Sequence, residues 1–130
     1  MNQDELKERT KQFALRAIRL GDALPRKMAA DVIGRQLIRS ATSVAANYRS
    51  ACRAKSRADF ISKMGTVEEE ADESALWLSM LGDAGLLPEA RLGELKKEAD
   101  ALTAIAVSSI RTARSRLGNQ QSAIRNLQSP

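Results

Sequence analysis

Basic side chains recur along residues 35–57 at spacings that place them on one face of a helix. The set comprises Arg35, Arg39, Arg49 and Arg53, with Lys55 and Arg57 close behind. At 3.6 residues per turn the four arginines fall near one line, on the side away from the apolar stripe of the same segment. A guanidinium group can donate two parallel hydrogen bonds to one phosphate or carboxylate group. This stripe is therefore suited to bind a phosphate backbone or an acidic surface.

The acidic run Glu68–Glu73 is the other stretch whose residues could form a catalytic or metal-binding site. Helical bundles can hold two metal ions between Glu side chains and Glu-x-x-His pairs, but this chain contains no His. A carboxylate pair such as Glu69 with Asp72, or Glu70 with Glu73, could serve acid–base catalysis, yet no nucleophile or phosphate-binding Gly-rich loop accompanies it. We therefore expect an ion-paired or solvated face, with no catalytic residue, metal or cofactor.

The arginine stripe and the acidic run can also neutralise each other. An antiparallel hairpin with its turn near residue 55 brings Arg39 opposite about residue 71, within reach of Glu69, Glu70 or Glu73. The same register places Arg35 opposite about residue 75. Arg49, Arg53, Lys55 and Arg57 gather at one end, where Asp59 is the only carboxylate close in sequence. We expect a mixed outcome, in which the interior arginines pair with carboxylates and the cluster at the end stays free to bind a ligand.

Two single residues allow a functional and a structural interpretation. Cys52 has basic neighbours that could lower its pKa and make it reactive, but it lies four residues after Tyr48 on the apolar stripe. Trp77 could stack on a nucleobase, or pack in the core. The core interpretation is favoured for both residues.

The elements that position these residues follow from apolar periodicity. One helix is predicted from Asp4 to about Leu20 and a second from about Pro25 to Arg53. A third follows Ser56, which with Asp59 forms a variant capping box, and ends at Gly82 or Gly85, with Gly85 favoured for the left-handed position. Its seam comprises Phe60, Met64, Val67, Ala71, Ser74, Leu78 and Leu81.

A fourth helix opens at Pro88 and is predicted to stop at Gly118. Its seam comprises Leu92, Leu95, Ala99, Leu102, Ala106, Ile110, Ala113 and Leu117. Four amphipathic helices with short connections predict an all-α, up-down-up-down antiparallel four-helix bundle. Residues 1–117 form the single bundle domain of this prediction, and residues 118–130 a mobile polar tail.

Composition agrees with a compact helical domain. The 130 residues are 43% hydrophobic but only 3% aromatic, so the core must be aliphatic. One Cys excludes an internal disulfide, and we see neither a signal peptide nor a membrane span, so a cytoplasmic location is expected. Residues 1–60 hold 13 Lys and Arg against 6 Asp and Glu, residues 61–100 hold 4 against 10, and residues 101–130 hold 4 against none.

Several of these motifs together resemble a known family. They are Gln-Leu-Ile-Arg-Ser-Ala-Thr-Ser-Val-Ala-Ala-Asn at residues 36–47, Ser-Arg-Ala-Asp-Phe at residues 56–60, the acidic run, Trp77-Leu78 and Asp83-Ala-Gly-Leu86. With them the chain resembles the four-helix-bundle proteins associated with intervening sequences in 23S ribosomal RNA genes, over about residues 10 to 117. Many members have Glu-Gly a few residues after the Asn, where this chain has Tyr48-Arg-Ser-Ala51.

The resemblance implies a homopentameric ring of bundles without established enzymatic activity. It also implies kinship to the accessory protein of diversity-generating retroelements, a basic pentamer that binds a reverse transcriptase and nucleic acid. The residues themselves agree with an oligomer. Leu76, Trp77 and Met80 lie beside the seam of the third helix, so part of their apolar surface is expected to stay exposed in a single bundle. These three residues are the predicted oligomer interface.

Two functional hypotheses follow. The first is a non-enzymatic oligomeric module that binds RNA or a nucleoprotein through Arg49, Arg53, Lys55 and Arg57, with Arg35 and Arg39 as further candidates. The alternative is a protein–protein adaptor, for example for a reverse transcriptase or another acidic partner, with incidental nucleic-acid binding. A partner lost on nuclease treatment distinguishes the first from the second.

Overall fold

The structure, a computed structural model, describes the backbone of residues 1–128 and the side chains of residues 1–116. Its helices are α1 (Gln3–Asp22), α2 (Met28–Ala51), α3 (Arg57–Asp83) and α4 (Glu89–Gln128). Five residues join each helix to the next, which turns neighbours antiparallel. The predicted all-α, up-down-up-down four-helix bundle is confirmed, and residues 1–128 contain no β-strand.

The predicted N-cap of α3 is confirmed, and its partner Asp59 acts differently from the prediction. The Ser56 hydroxyl accepts a hydrogen bond from the Asp59 backbone N–H at 3.0 Å. In a capping box the third-position carboxylate returns to the N–H of the cap residue. Here Asp59 instead accepts from the backbone N–H of Lys55, one residue earlier, at 3.0 Å. The side chain of Asp59 thus ties the α2–α3 loop to the first turn of α3.

The second helix is shorter than predicted at both ends. It begins at Met28, because Lys27 is extended (φ −133°, ψ 150°) and its N–H bonds back to the carbonyl of Pro25 at 2.9 Å. Pro25 therefore opens a turn and not the helix. The other end comes at Ala51, two residues before Arg53.

The end of α3 was predicted well. Gly85 has a φ of +70°, the left-handed conformation that favours glycine. The N–H of Leu86 donates to the carbonyl of Leu81 at 2.9 Å, and that of Gly85 to Gly82 at 3.0 Å. This pair of bonds is a Schellman motif, which satisfies carbonyls that the helix end leaves open.

The core lies where the periodic stripes predicted it. Every described member of the α3 and α4 seams is buried except Phe60, which is half-buried. Small residues such as Ala41 on α2 and Ala71 on α3 are fully buried, so these two helices approach closely. Packing is most extensive between α2 and α3 and between α3 and α4, and α1 touches α4 only slightly. The third helix thus makes the most extensive interhelical contacts.

The fourth helix is longer than predicted. It continues through Gly118 to Gln128, so its 40 residues span about 60 Å against about 40 Å for α3. A single Gly costs a helix only about 1 kcal/mol, which is too little to end it where no competing turn is available. The predicted mobility of residues 118–130 stays a prediction. Ser129 and Pro130 lie outside the described residues.

Candidate nucleic-acid interface

The interior part of the arginine stripe is neutralised by carboxylates. Arg39 reaches across to α3, where its guanidinium bonds Glu70 at 3.3 Å and also Glu73. Arg35 instead pairs with Asp31 on its own helix, at 3.2 Å. The prediction that Arg39 meets the acidic run is therefore correct, whereas Arg35 takes a local partner. Neither arginine is left as an unpaired cation.

Four residues at the opposite end of the stripe form what we call the basic end cluster. They are Arg49, Arg53, Lys55 and Arg57. The first three are exposed and Arg57 is half-buried. Among the residues that the structure describes, none of the four side chains makes an ion pair within 4.0 Å.

Asp59, the one carboxylate near this cluster in sequence, is directed elsewhere. Its carboxylate accepts from the Lys55 backbone N–H and from the Lys63 ammonium group, each at 3.0 Å. These two hydrogen bonds hold the pKa of Asp59 below its ordinary value. Its ion pair is with Lys63, and the charge of Lys55 also lies close enough to contribute to the lowered pKa.

Two shallow grooves adjoin Arg49 on either side of α2. Arg49, Arg53 and Lys63 line one of about 310 Å³ between α2 and α3. Between α1 and α2, Arg49 shares the second groove with Lys7 and Lys11 but also with Asp4 and Glu8. The α2–α3 side is therefore the more uniformly basic of the two, and the acids at the start of α1 offset part of the charge of Arg49.

A further groove, which we call the α3–α4 groove, extends the basic surface to the fourth helix. Arg57 from the first turn of α3 and the exposed Arg116 of α4 both line it. Arg116 was not among the predicted site residues. Its position could have been found, because Arg57 and Arg116 lie 29 and 30 residues from Leu86, and an antiparallel hairpin that turns there pairs them.

The two single residues behave mainly as structural groups. Cys52 is half-buried against the core beside Tyr48, and burial of the Tyr48 side chain raises the pKa of its phenol. Trp77 is half-buried against the core, and its indole N–H donates to Glu73 at 3.3 Å. That bond places Glu73 between Trp77 and Arg39.

The predicted oligomer residues are unequally exposed. Leu76 keeps 52% and Met80 39% of its surface exposed, while Trp77 between them is half-buried. Large apolar side chains are also exposed on the first turns of α2, at Met28 and Val32. Apolar surface is therefore present on both α2 and α3.

The acidic run does not form a metal site. Glu70 and Glu73 are engaged by Arg39, and within the described residues no three carboxylate or thiol groups converge as a metal would require. No helix in the described part of the chain is long and apolar enough to cross a bilayer.

Comparisons with known proteins agree with this architecture. Residues 3–108 match the family described as 23S rRNA-intervening sequence protein. A crystal structure of a protein of unknown function from the S23 ribosomal protein family of Bacteroides thetaiotaomicron is 31% identical, with a TM-score of 0.75. The match covers 80% of this chain and 96% of that one. No curated protein matches significantly. The chain, with its four helices and matching motifs, belongs to the 23S rRNA-intervening sequence protein family.

Proposed function

We propose that this protein is a non-enzymatic module that binds RNA through phosphate contacts of the basic end cluster. The observation that carries the proposal is the contrast within one stripe. Arg35 and Arg39 are held by carboxylates, whereas the cluster of Arg49, Arg53, Lys55 and Arg57 makes no ion pair with any described residue. Cations without a protein partner are the groups that can replace counterions on a phosphate backbone.

The shape of this end supports an extended ligand. The start of α3 lies between the basic α2–α3 groove, with Arg53, and the α3–α4 groove, with Arg57 and Arg116. A nucleic-acid strand that crosses the end of the bundle would meet cations on both sides of α3. The C-terminal residues 101–130 carry four arginines and no acid. Their charge adds long-range attraction for a nucleic acid.

Charge reversal tests the proposal. Arg53→Glu with Arg57→Glu should abolish binding of a structured RNA at low salt, because each change replaces an attraction for phosphate by a repulsion. The control is Arg26→Glu with Arg91→Glu, since both of these arginines are exposed at the opposite end of the bundle and the net charge changes equally. Equal loss in both variants would reduce the effect to net charge and contradict the proposal.

Co-purification from the native cells separates RNA binding from the adaptor hypothesis. A partner that is lost on nuclease treatment agrees with RNA binding. A saturable protein partner that survives nuclease treatment and depends on Arg53 and Arg57 would instead support an adaptor for an acidic protein, such as a polymerase.

Self-association would multiply weak phosphate contacts, and we propose that Leu76, Trp77 and Met80 supply the interface. Burial of apolar surface contributes about 25 cal/mol per Å², so two exposed side chains per protomer offer a driving force. The protomer number, five, rests only on the resemblance to pentameric bundles. Light scattering should then give about five times the 14.2 kDa chain mass.

Leu76→Lys provides the matched test of that interface. Since Leu76 is 52% exposed in the single chain, a lysine there should leave folding intact but disperse the oligomer. Gln12→Lys adds the same charge at an exposed site on α1 and should leave the mass unchanged. A monomer already in the unaltered protein at micromolar concentration would contradict the assembly.

A further inference from the structure

The α3–α4 groove has an aromatic ring and hydroxyl groups in addition to the guanidinium groups that a phosphodiester backbone would bind. Its volume is about 400 Å³, within the range of about 300–1,000 Å³ typical of small-ligand sites. Two guanidinium groups, Arg57 and Arg116, line it together with the ring of Phe60. Three hydroxyl groups complete the lining, from Ser108, Ser109 and Thr112.

The two helices present these groups as facing strips. Arg57 and Phe60 are three residues apart on α3, and Ser108, Thr112 and Arg116 recur every four residues on α4, so each set occupies one helix face. Phe60 is half-buried, whereas every other described residue of its seam is fully buried. The ring therefore belongs to the core on one side and to the groove on the other.

Charge at the groove favours an anion. Neither Arg57 nor Arg116 forms an ion pair with a described residue, and no carboxylate lines the groove. Asp59, the nearest acid in the first turn of α3, is held by Lys55 and Lys63. The groove also adjoins the N-terminal turn of a 27-residue helix, whose dipole adds positive potential.

We infer that the α3–α4 groove binds one unpaired nucleotide of an RNA strand. The base packs on the Phe60 ring, the phosphate lies between Arg57 and Arg116, and the Ser and Thr hydroxyls bond the ribose or the base edge. Aromatic stacking needs an exposed base face, which a base pair inside a duplex does not offer. The inference rests on the proposed function and adds a preference for single-stranded segments.

Fluorescence anisotropy with two fluorescein-labelled RNAs tests the site on the full chain. One RNA is an unstructured pentanucleotide, and the other is a blunt hairpin whose two strands are joined by a polyethylene glycol linker, so that every base is paired. Phe60→Leu keeps apolar volume but removes the ring. It should weaken pentanucleotide binding about tenfold, the effect of one lost base–aromatic stack, and change hairpin binding less than twofold. Phe60→Tyr retains the ring and should restore binding, which separates stacking from general damage to the fold.

Arg116→Gln should also weaken pentanucleotide binding, by more than Arg26→Gln, its control at the far end of the bundle. Equal affinity of Phe60→Leu and the unaltered protein for the pentanucleotide would overturn the site, as would failure of the pentanucleotide to bind at all. The hairpin reports separately on the proposed function. If the hairpin binds in a salt-sensitive way while Phe60→Leu has no effect on pentanucleotide binding, the proposed role of the basic end cluster is retained and only the nucleotide site is rejected.

Discussion

The hydroxyl groups of Ser40 and Ser74 lie 2.8 Å apart in the interface between α2 and α3, where neither side chain is exposed. Each hydroxyl also has a backbone carbonyl within hydrogen-bond distance, Leu37 at 3.1 Å for Ser40 and Glu70 at 2.8 Å for Ser74, so either serine can donate to the other. The pair sits next to the ion pairs of Arg39 and holds the same register of α2 against α3. It is a polar contact inside an otherwise apolar seam.

Replacement of the two serines should show that their contributions to the free energy of unfolding depend on each other. Ser40→Ala and Ser74→Ala should each cost about 1 kcal/mol of unfolding free energy, because the remaining hydroxyl keeps a backbone carbonyl as acceptor. The double variant should be less destabilised than the sum by about 0.5–1 kcal/mol. Urea denaturation of the four proteins measures this, and strictly additive effects would show that the contact does not contribute.

Arg9 and Glu98 should link α1 to α4 measurably. Their two hydrogen bonds, at 2.7 and 2.8 Å, form a bidentate pair that is 31% and 17% exposed on its two sides. Because α1 otherwise touches α4 only slightly, Arg9→Met should cost about 1 kcal/mol.

Arg9→Lys is the companion variant, since it keeps the charge but loses the bidentate geometry. It should recover only part of the lost stability in urea denaturation. Full recovery with lysine would show that charge alone matters, and no loss with Met would contradict the linking role.

The carboxylate of Asp59 should make stability depend on pH in the acidic range. Its pKa is lowered in the folded state by the hydrogen bonds from Lys55 and Lys63. A depressed folded-state pKa stabilises the protein above the unfolded-state value of about 3.9, and that contribution disappears as the pH falls through the folded-state value.

Asp59→Asn should therefore be less stable than the unaltered protein at pH 6, and the gap should narrow below about pH 4. Urea midpoints at pH 6, 4 and 3 measure the gap. The control is Asp72→Asn, at an exposed carboxylate without an ion pair among the described residues. A gap that stays constant down to pH 3 would contradict the assignment.

The sequence predicted the faces of the helices better than their ends. Spacing alone identified the buried seam from Met64 to Leu81, because a helix has a fixed period and a core needs a continuous apolar face. The start of α2 depended on a local hydrogen bond from Lys27 to Pro25, and no periodic pattern encodes such a bond.

The sequence predicted only part of the candidate site, because helix register can be read from spacing but the partner of an individual side chain cannot. Hairpin register placed Arg39 near Glu70 and Glu73, but a long side chain chooses among several carboxylates, and Arg35 found Asp31 one turn away. Arg116 was missed since it belongs to a different helix, 59 residues along the chain from Arg57. Only the α3–α4 register joins the two.

The salt dependence of RNA binding tests the role of the basic end cluster most directly. For a duplex, the logarithm of the binding constant falls with the logarithm of salt concentration with a slope of about −0.9 per phosphate contacted. Arg53→Gln with Arg57→Gln should reduce the magnitude of that slope by about 1.8 for a hairpin RNA. Arg26→Gln with Arg91→Gln should leave the slope unchanged. No binding of the unaltered protein at low salt, or the same slope in both variants, would contradict phosphate recognition by this cluster.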